Sequence, residues 1–171
     1  MITGFDVRIS DSASISRPDM VVIRNHVAID MGVYISTQAD IGSYVHIAPY
    51  VCIIGGADAQ LIMEDFTNIG AGSKLVVRGD DFIKGMINPI VPIEYRVLIG
   101  EKIHMHRFSL IGVNSVVLQN VEMAEGSVLG ANSLLTRSTE PWTIYVGSPA
   151  KAIKMRDSKL ILQACKALGY E

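Results

Sequence analysis

At 171 residues with a net charge of −2 and 19% charged side chains, the chain has no basic excess for a nucleic acid or an anionic membrane surface. Its apolar runs are too short to span a bilayer, and the opening MITGFDVRIS lacks a basic segment followed by an apolar one, so neither a membrane span nor a signal peptide is expected. Apolar residues reach 49% and aromatics only 6%, a skew that suits a narrow core of stacked aliphatic side chains. Cys52 and Cys165 stand in unlike contexts; they are expected to be reduced, as in a cytoplasmic protein.

Taken in order, the chain counts in sixes. Ile9 and Ile15 open the count, and Arg17-Pro18-Asp19-Met20 delays it. Ile23, Ile29, Ile35, Ile41, Ile47 and Ile53 then hold strict register, with Val27, Val33, Ala39, Val45 and Val51 four residues after the first five. A period of six fits neither an amphipathic helix nor a long alternating strand. It is the hexapeptide repeat of a parallel β-helix, in which the large residue points into a triangular prism and the small one fits a corner. β-branched side chains at the inward sites suit an extended backbone.

Gly55-Gly56-Ala57-Asp58-Ala59-Gln60 interrupts the count and reads as a bulged turn. The register resumes at Met63, Ile69 and Leu75, then stops. Residues 78–96, RGDDFIKGMINPIVPIEYR, read as a loop thrown out of the prism, too apolar to be freely solvated. A second block runs through Ile99, Met105, Ile111, Val117, Met123, Leu129 and Leu135, making 18 hexads or about six coils. Pro141 and Pro149 interrupt regular structure in 138–156. A helix is expected from Asp157 to Gly169, its apolar face of Leu160, Ile161, Ala164, Cys165 and Leu168 covering the open end of the prism. The expected class is therefore all-β, residues 1–156 forming the β-helix with its extruded loop and 157–171 a helix of the same domain.

IGVNSVVLQNVEMAEGSVLGANSLLTRSTEPWTIYVGSPAKAIKMR resembles the C-terminal half of the hexapeptide-repeat acyltransferases, whose fold is the left-handed parallel β-helix. VHIAPYVCIIGGADAQ, FTNIGAGSKLVVRGDDF and INPIVPIEYR are similar to the branch that acetylates sugars in bacterial surface-polysaccharide pathways, akin to the galactoside and maltose acetyltransferases. The resemblance implies a homotrimer, with acetyl-CoA as donor in a groove between prisms and no metal. It also implies an acceptor site closed by the loop of a neighbour. The chemistry it implies is attack of a sugar hydroxyl on the thioester, or of the amine of a nucleotide-linked amino sugar, with a general base and backbone N–H groups at the oxyanion.

The candidate base is His46, which lies outward beside Ile47 in a VHIAP stretch resembling the sugar-nucleotide N-acetyltransferases. His104 is the alternative; it and His106 flank inward Met105. Galactoside-type enzymes carry a catalytic histidine at a His-Pro stretch beside the loop, where INPIVPIEYR has none. Asp81, Asp80 or Glu94 could serve instead. The loop offers Asp80, Asn88, Glu94, Tyr95 and Arg96 to the acceptor. For the cofactor, the resemblance points to Gly112, Ala131, Asn132 and Ser133 as backbone contacts to the pantetheine arm. It points to Thr136, Arg137, Lys151, Lys154 and Arg156 at the CoA phosphates. Trp142 and Tyr145 read as packing, and His26 as a surface turn. Two rival readings are a γ-type carbonic anhydrase, whose His-x4-His spacing is missing, and a scaffold without catalysis.

Overall fold

In the computed structural model, which describes residues 1–170, the six-residue count becomes three flat faces. Thr3, Ile23, Ile41, Met63, Met105 and Met123 stack in register on the first face. Ile9, Ile29, Ile47, Ile69, Ile111 and Leu129 stack on the second. Ile15, Ile35, Ile53, Leu75, Val117 and Leu135 stack on the third. These strands pair in parallel, one coil on the next. From Ile23 to Leu135 every one of these residues is at most 1% exposed. The result is six coils and the start of a seventh, at Thr143–Gly147.

The corners explain the small residues. Ser73 Oγ donates to the Gly112 carbonyl and accepts from the Ser115 N–H; Ser115 Oγ repeats the pattern with Gly130 and Ser133. These hydroxyls satisfy buried backbone groups between coils, which an apolar residue of the same size would leave unpaired. At Gly112 an added Cβ would lie 2.6 Å from the Ala131 backbone nitrogen, so the close approach of coils, and not only a ligand, demands glycine there.

One edge, between the first and second faces, carries aromatic residues at left-handed backbone positions: His26, Tyr44, Phe66, Phe108 and Trp142. Their rings stack along the axis, with centroids 4.5, 5.0, 5.3 and 6.0 Å apart. A left-handed residue costs about 1–2 kcal/mol, and each stacked pair returns about 0.5–1.5 kcal/mol beyond burial, so the ladder offsets much of the strain of its own corner.

Four expectations are corrected. Residues 55–60 are not a turn but part of one strand, Cys52–Met63, that follows Tyr34–Ile41 round a corner; irregular pairing near Thr37 absorbs the extra residues. Ile99 is not inward: Leu98–Ile99 pairs antiparallel with Gly79–Asp80 at the base of the loop, and Ile99 is half-exposed. The helix, Lys159–Ala167, does not cover the open end of the prism. Antiparallel pairing of Ala150–Met155 onto Thr143–Gly147 caps the last coil at the second face, while Tyr170, just past the helix, packs edge-on against Tyr44 and Phe66. His26 is not a free surface residue, being stacked on Tyr44 and paired with Asp6.

Replacing Ile53 by Ala is expected to cost about 2–5 kcal/mol, whereas Ile54→Ala, one residue along and outward-facing, should stay within about 0.5 kcal/mol. Urea denaturation of the two variants checks the inward assignment; equal losses would contradict it.

Candidate active site

The outer surface of a β-helix is a grid. A residue just after an inward position meets, on the next coil, the residue just before the inward position there. Asp30 and His46 are so related on the second face, and Arg24 and Asp40 on the first; each pair is 16 residues apart and in contact. Glu64 and His104 hold the same relation with the loop's residues added between them, 40 apart.

Glu64 is the centre of the most developed group. Its Oε1 lies 2.8 Å from His104 Nε2 and 3.0 Å from His106 Nδ1, and Oε2 accepts the Arg107 N–H at 3.0 Å. Burial pushes its carboxyl up, but the Arg107 N–H, the His104 hydrogen bond and the charges of His106 and His104 outweigh it and hold Glu64 below the usual range. Glu64 is therefore an ionised acceptor. A carboxylate only accepts, so His104 Nε2 and His106 Nδ1 carry the hydrogens facing it. In neutral His104 the lone pair then sits on Nδ1, the arrangement of a general base oriented by a carboxylate. The His104 side chain is 17% exposed. A cleft of about 270 Å³ adjoins the group, lined by Arg24, Asp40, Ile62, Glu64, Asp65 and Arg107. His104 precedes inward Met105, which places it toward the edge where the loop leaves; His106 lies toward the aromatic edge.

His46 is the other ordered imidazole among the expected bases. Its Nε2 is 2.7 Å from Asp30 Oδ2 on a more open surface. It faces a broad cleft of about 940 Å³ that also holds Asp6, Arg8, His26 and Tyr44.

The loop is built by its own charges. Arg96 Nε donates to Asp80 Oδ1 at 2.8 Å, both side chains being about 14% exposed or less. Arg96 Nη1 reaches the Pro89 carbonyl. Asp81 is buried, its carboxylate accepting the Ile83 N–H at 2.8 Å while its own N–H donates to Val97; it shapes a turn and is not presented as a free acid. Asn88 similarly accepts the Ile90 N–H. Glu94 and Tyr95 are exposed. So are Phe82, Ile83 and Ile90, at 85%, 91% and 88%, too much apolar surface to leave in water at the tip of a rigid loop.

Of the expected cofactor residues, Ala131, Asn132, Thr136, Arg137, Lys151 and Lys154 are exposed in the last coils. The Ser133 hydroxyl is buried, bonded to the Ala131 carbonyl and the Gly147 N–H, which leaves the expected backbone contact as the one this residue could offer. Arg156 is likewise engaged elsewhere. Its Nη1 donates to the Phe108 and Gly126 carbonyls, and its guanidinium lies over Trp142 at the aromatic edge. Trp142 and Tyr145 pack, as expected; the Tyr145 hydroxyl accepts the Glu140 N–H. Sequence reasoning missed Glu64. The signal was present in the grid but hidden by the unknown register across the loop.

The chain is thus a parallel β-helix with an extruded loop and imidazole–carboxylate pairs on its outer surface. No family profile matches the sequence. The chain is 35% identical over 163 residues to the dTDP-4-amino-4,6-dideoxy-D-glucose acyltransferase of Escherichia coli, covering 92% of this chain and 83% of that one. It is 29% identical over 123 residues to WbbJ of E. coli K12, named for lipopolysaccharide O-acetyl transfer, covering 71% and 60%. A single-residue mutant of the N-acyltransferase AntD of Bacillus cereus, solved with dTDP-4-amino-4,6-dideoxyglucose and coenzyme A, superposes with a TM-score of 0.93 at 34% identity, over 98% of this chain and 89% of AntD. The same protein has been solved with dTDP and 3-hydroxybutyryl-CoA. The chain belongs to the hexapeptide-repeat sugar acyltransferases, enzymes of the left-handed β-helix fold that use acyl-CoA as donor. Among the described residues no helix is long and apolar enough to cross a membrane.

Because folding lowers the Glu64 pKa, its ionised form stabilises the fold above the ordinary value of 4.5, and that contribution is lost as pH falls through the lowered value. The difference in melting temperature between wild type and Glu64→Gln should therefore be full above pH 4.5 and close below it. A gap unchanged through the acid limb would mean that Glu64 is not held ionised.

Proposed function

We propose that this protein transfers an acyl group from acyl-CoA to the amino group of a nucleotide-linked 4-amino-4,6-dideoxy sugar, with His104 as general base and Glu64 as the group that orients it. The observation that carries the chemistry is the Glu64–His104 pair, which fixes the tautomer and leaves Nδ1 free. The acceptor class rests on the nearly full-length likeness to AntD and to the E. coli amino-sugar acyltransferase. Transfer to a sugar hydroxyl in surface-polysaccharide synthesis is the second reading, favoured by the shorter match to WbbJ.

The neutral amine attacks the thioester carbonyl through its lone pair. The N–C bond forms as the carbonyl π electrons move to oxygen. His104 Nδ1 takes a proton from the nitrogen, and the resulting imidazolium is stabilised by the Glu64 carboxylate. Collapse of the tetrahedral intermediate breaks the C–S bond and releases the CoA thiolate, to which the imidazolium returns the proton. His46, in the wide second-face cleft, is assigned to acceptor binding, as are Asn88, Glu94 and Tyr95 of the loop. Asp80 and Arg96 position that loop. Gly112, Ala131 and Asn132 would line the pantetheine path, with Thr136, Arg137, Lys151 and Lys154 toward the phosphates. A homotrimer fits the exposed Phe82, Ile83 and Ile90, which a neighbouring prism would cover. Free Cys52 and Cys165 fit a cytoplasmic setting.

His104→Asn is expected to lower kcat by about 10²–10⁴-fold, and His46→Asn to act mainly on the KM of the acceptor. Coupled release of free CoA thiol, with acetyl-CoA and dTDP-4-amino-4,6-dideoxyglucose as substrates, reads both. Near-normal kcat in His104→Asn would remove it as the base. A protein that accepts hydroxyl sugars and ignores the amine would favour the second reading.

A further inference from the structure

The acyl-transfer mechanism uses one imidazole and one carboxylate, yet Glu64 holds two imidazoles. His104 and His106 face the same carboxylate oxygen, their ring centroids 3.9 Å apart. Orienting a base requires only one. Three donor atoms, His104 Nε2, His106 Nδ1 and Glu64 Oε1, all lie within 4.8 Å of one another.

We infer that these three atoms bind one divalent transition cation of the zinc type, and that the bound ion switches the base off. The donors suit such an ion: two imidazole nitrogens and a carboxylate oxygen, with a fourth position left for water. Zinc with ligands at about 2.0–2.1 Å in a tetrahedron sets them about 3.3–3.4 Å apart. The two histidine nitrogens stand 2.8 and 3.0 Å from the carboxylate oxygen, so each of these two separations opens by only a few tenths of an ångström to admit the ion, while the nitrogens themselves, within 4.8 Å of one another, settle at the same spacing. The second carboxylate oxygen is already held by the Arg107 N–H at 3.0 Å, which anchors the ligand from behind. Both histidines are fixed in register on one strand, Lys102–Met105 and the residue after it, and Glu64 on the coil below. The ligand set is therefore largely preformed.

Metal binding inverts the tautomer. In the metal-free site His104 Nε2–H faces Glu64 and Nδ1 holds the lone pair. An ion on Nε2 takes the lone pair there, so in the neutral ring the proton sits on Nδ1, which can no longer accept one. His106 changes in the same sense, from Nδ1–H to Nε2–H. A ring that starts charged gives one proton to solvent when the ion binds. The reaction itself has no need of the ion. The site is a brake, and only this second half of the inference rests on the acyl-transfer reading.

The test begins without CoA or acceptor. Calorimetric titration of the purified, EDTA-treated protein with ZnCl2, and visible ligand-field spectra with CoCl2, are expected to report one ion per chain in a low-symmetry, four-coordinate setting. His106→Ala and His106→Asn, each checked for native circular dichroism, should weaken binding by about 10–100-fold or more. Absence of saturable binding, or binding in both His106 variants as tight as in wild type, overturns the site. The second stage measures acyl transfer against zinc, each protein relative to its own metal-free rate. Inhibition of wild type that is relieved in the His106 variants upholds the brake; equal inhibition in all three overturns it. A protein that binds the ion as described but transfers no acyl group upholds the site and overturns the function proposed above.

Discussion

The interaction on which the rest of the structure depends is the approach of one coil to the next. Parallel strands pair at about 4.8 Å, and the prism is too narrow to hold anything but side chains from its own three faces. Every inward position must therefore be filled by a residue that meets its counterpart one coil above and below, which is why Ile follows Ile through the first half of the chain. The same approach leaves no room at the corners. Ser73, Ser115 and Ser133 occupy them because their hydroxyls serve backbone groups that the turn would otherwise bury unpaired.

This constraint makes the fold legible, since a period of six in the sequence is a period of one face in space. It also makes part of the site legible. Once a regular coil is known to contain 18 residues, as between Ile23 and Ile41, Asp30 can be paired with His46 by counting alone. Glu64 could not be assigned to His104 in the same way. The loop between their coils has no period, and Ile99, which continues the count in the sequence, lies at the loop's base and not in the core. The register restarts at Ile103 and Met105, and only the paired strands Gln60–Met63 and Lys102–Met105 reveal how many residues the loop removed.

The aromatic edge was hidden for a different reason. Only 6% of the residues are Phe, Trp or Tyr, and those of the ladder, with His26, occupy turns and bends, where a sequence reading expects polar or small side chains. At this edge the backbone turns through the left-handed region, an unfavourable conformation for a large residue. Stacking between coils supplies a compensation that no single turn can show. The ladder also receives the segment after the helix: Tyr170 finds an apolar ledge on Tyr44 and Phe66, so the helix lies along the side of the prism. The open end is left to the simpler device of a strand, Ala150–Met155, turned back on the last coil at the second face.

A filled prism has consequences for chemistry. No substrate can enter the core, so acyl transfer has to occur on the outside, where water competes for every charge and every hydrogen bond. A surface imidazole then needs a neighbour to fix its tautomer and a cover to exclude solvent. In the function proposed above, Glu64 meets the first need for His104 from the coil below. The loop is suited to the second: the Asp80–Arg96 pair, nearly buried itself, holds its base rigid while Phe82, Ile83 and Ile90 project outward without contacts of their own to cover them. Under the proposed function, that division of labour, a rigid grid for the reacting groups and an anchored apolar arm for their cover, would follow from a core that has no space to spare.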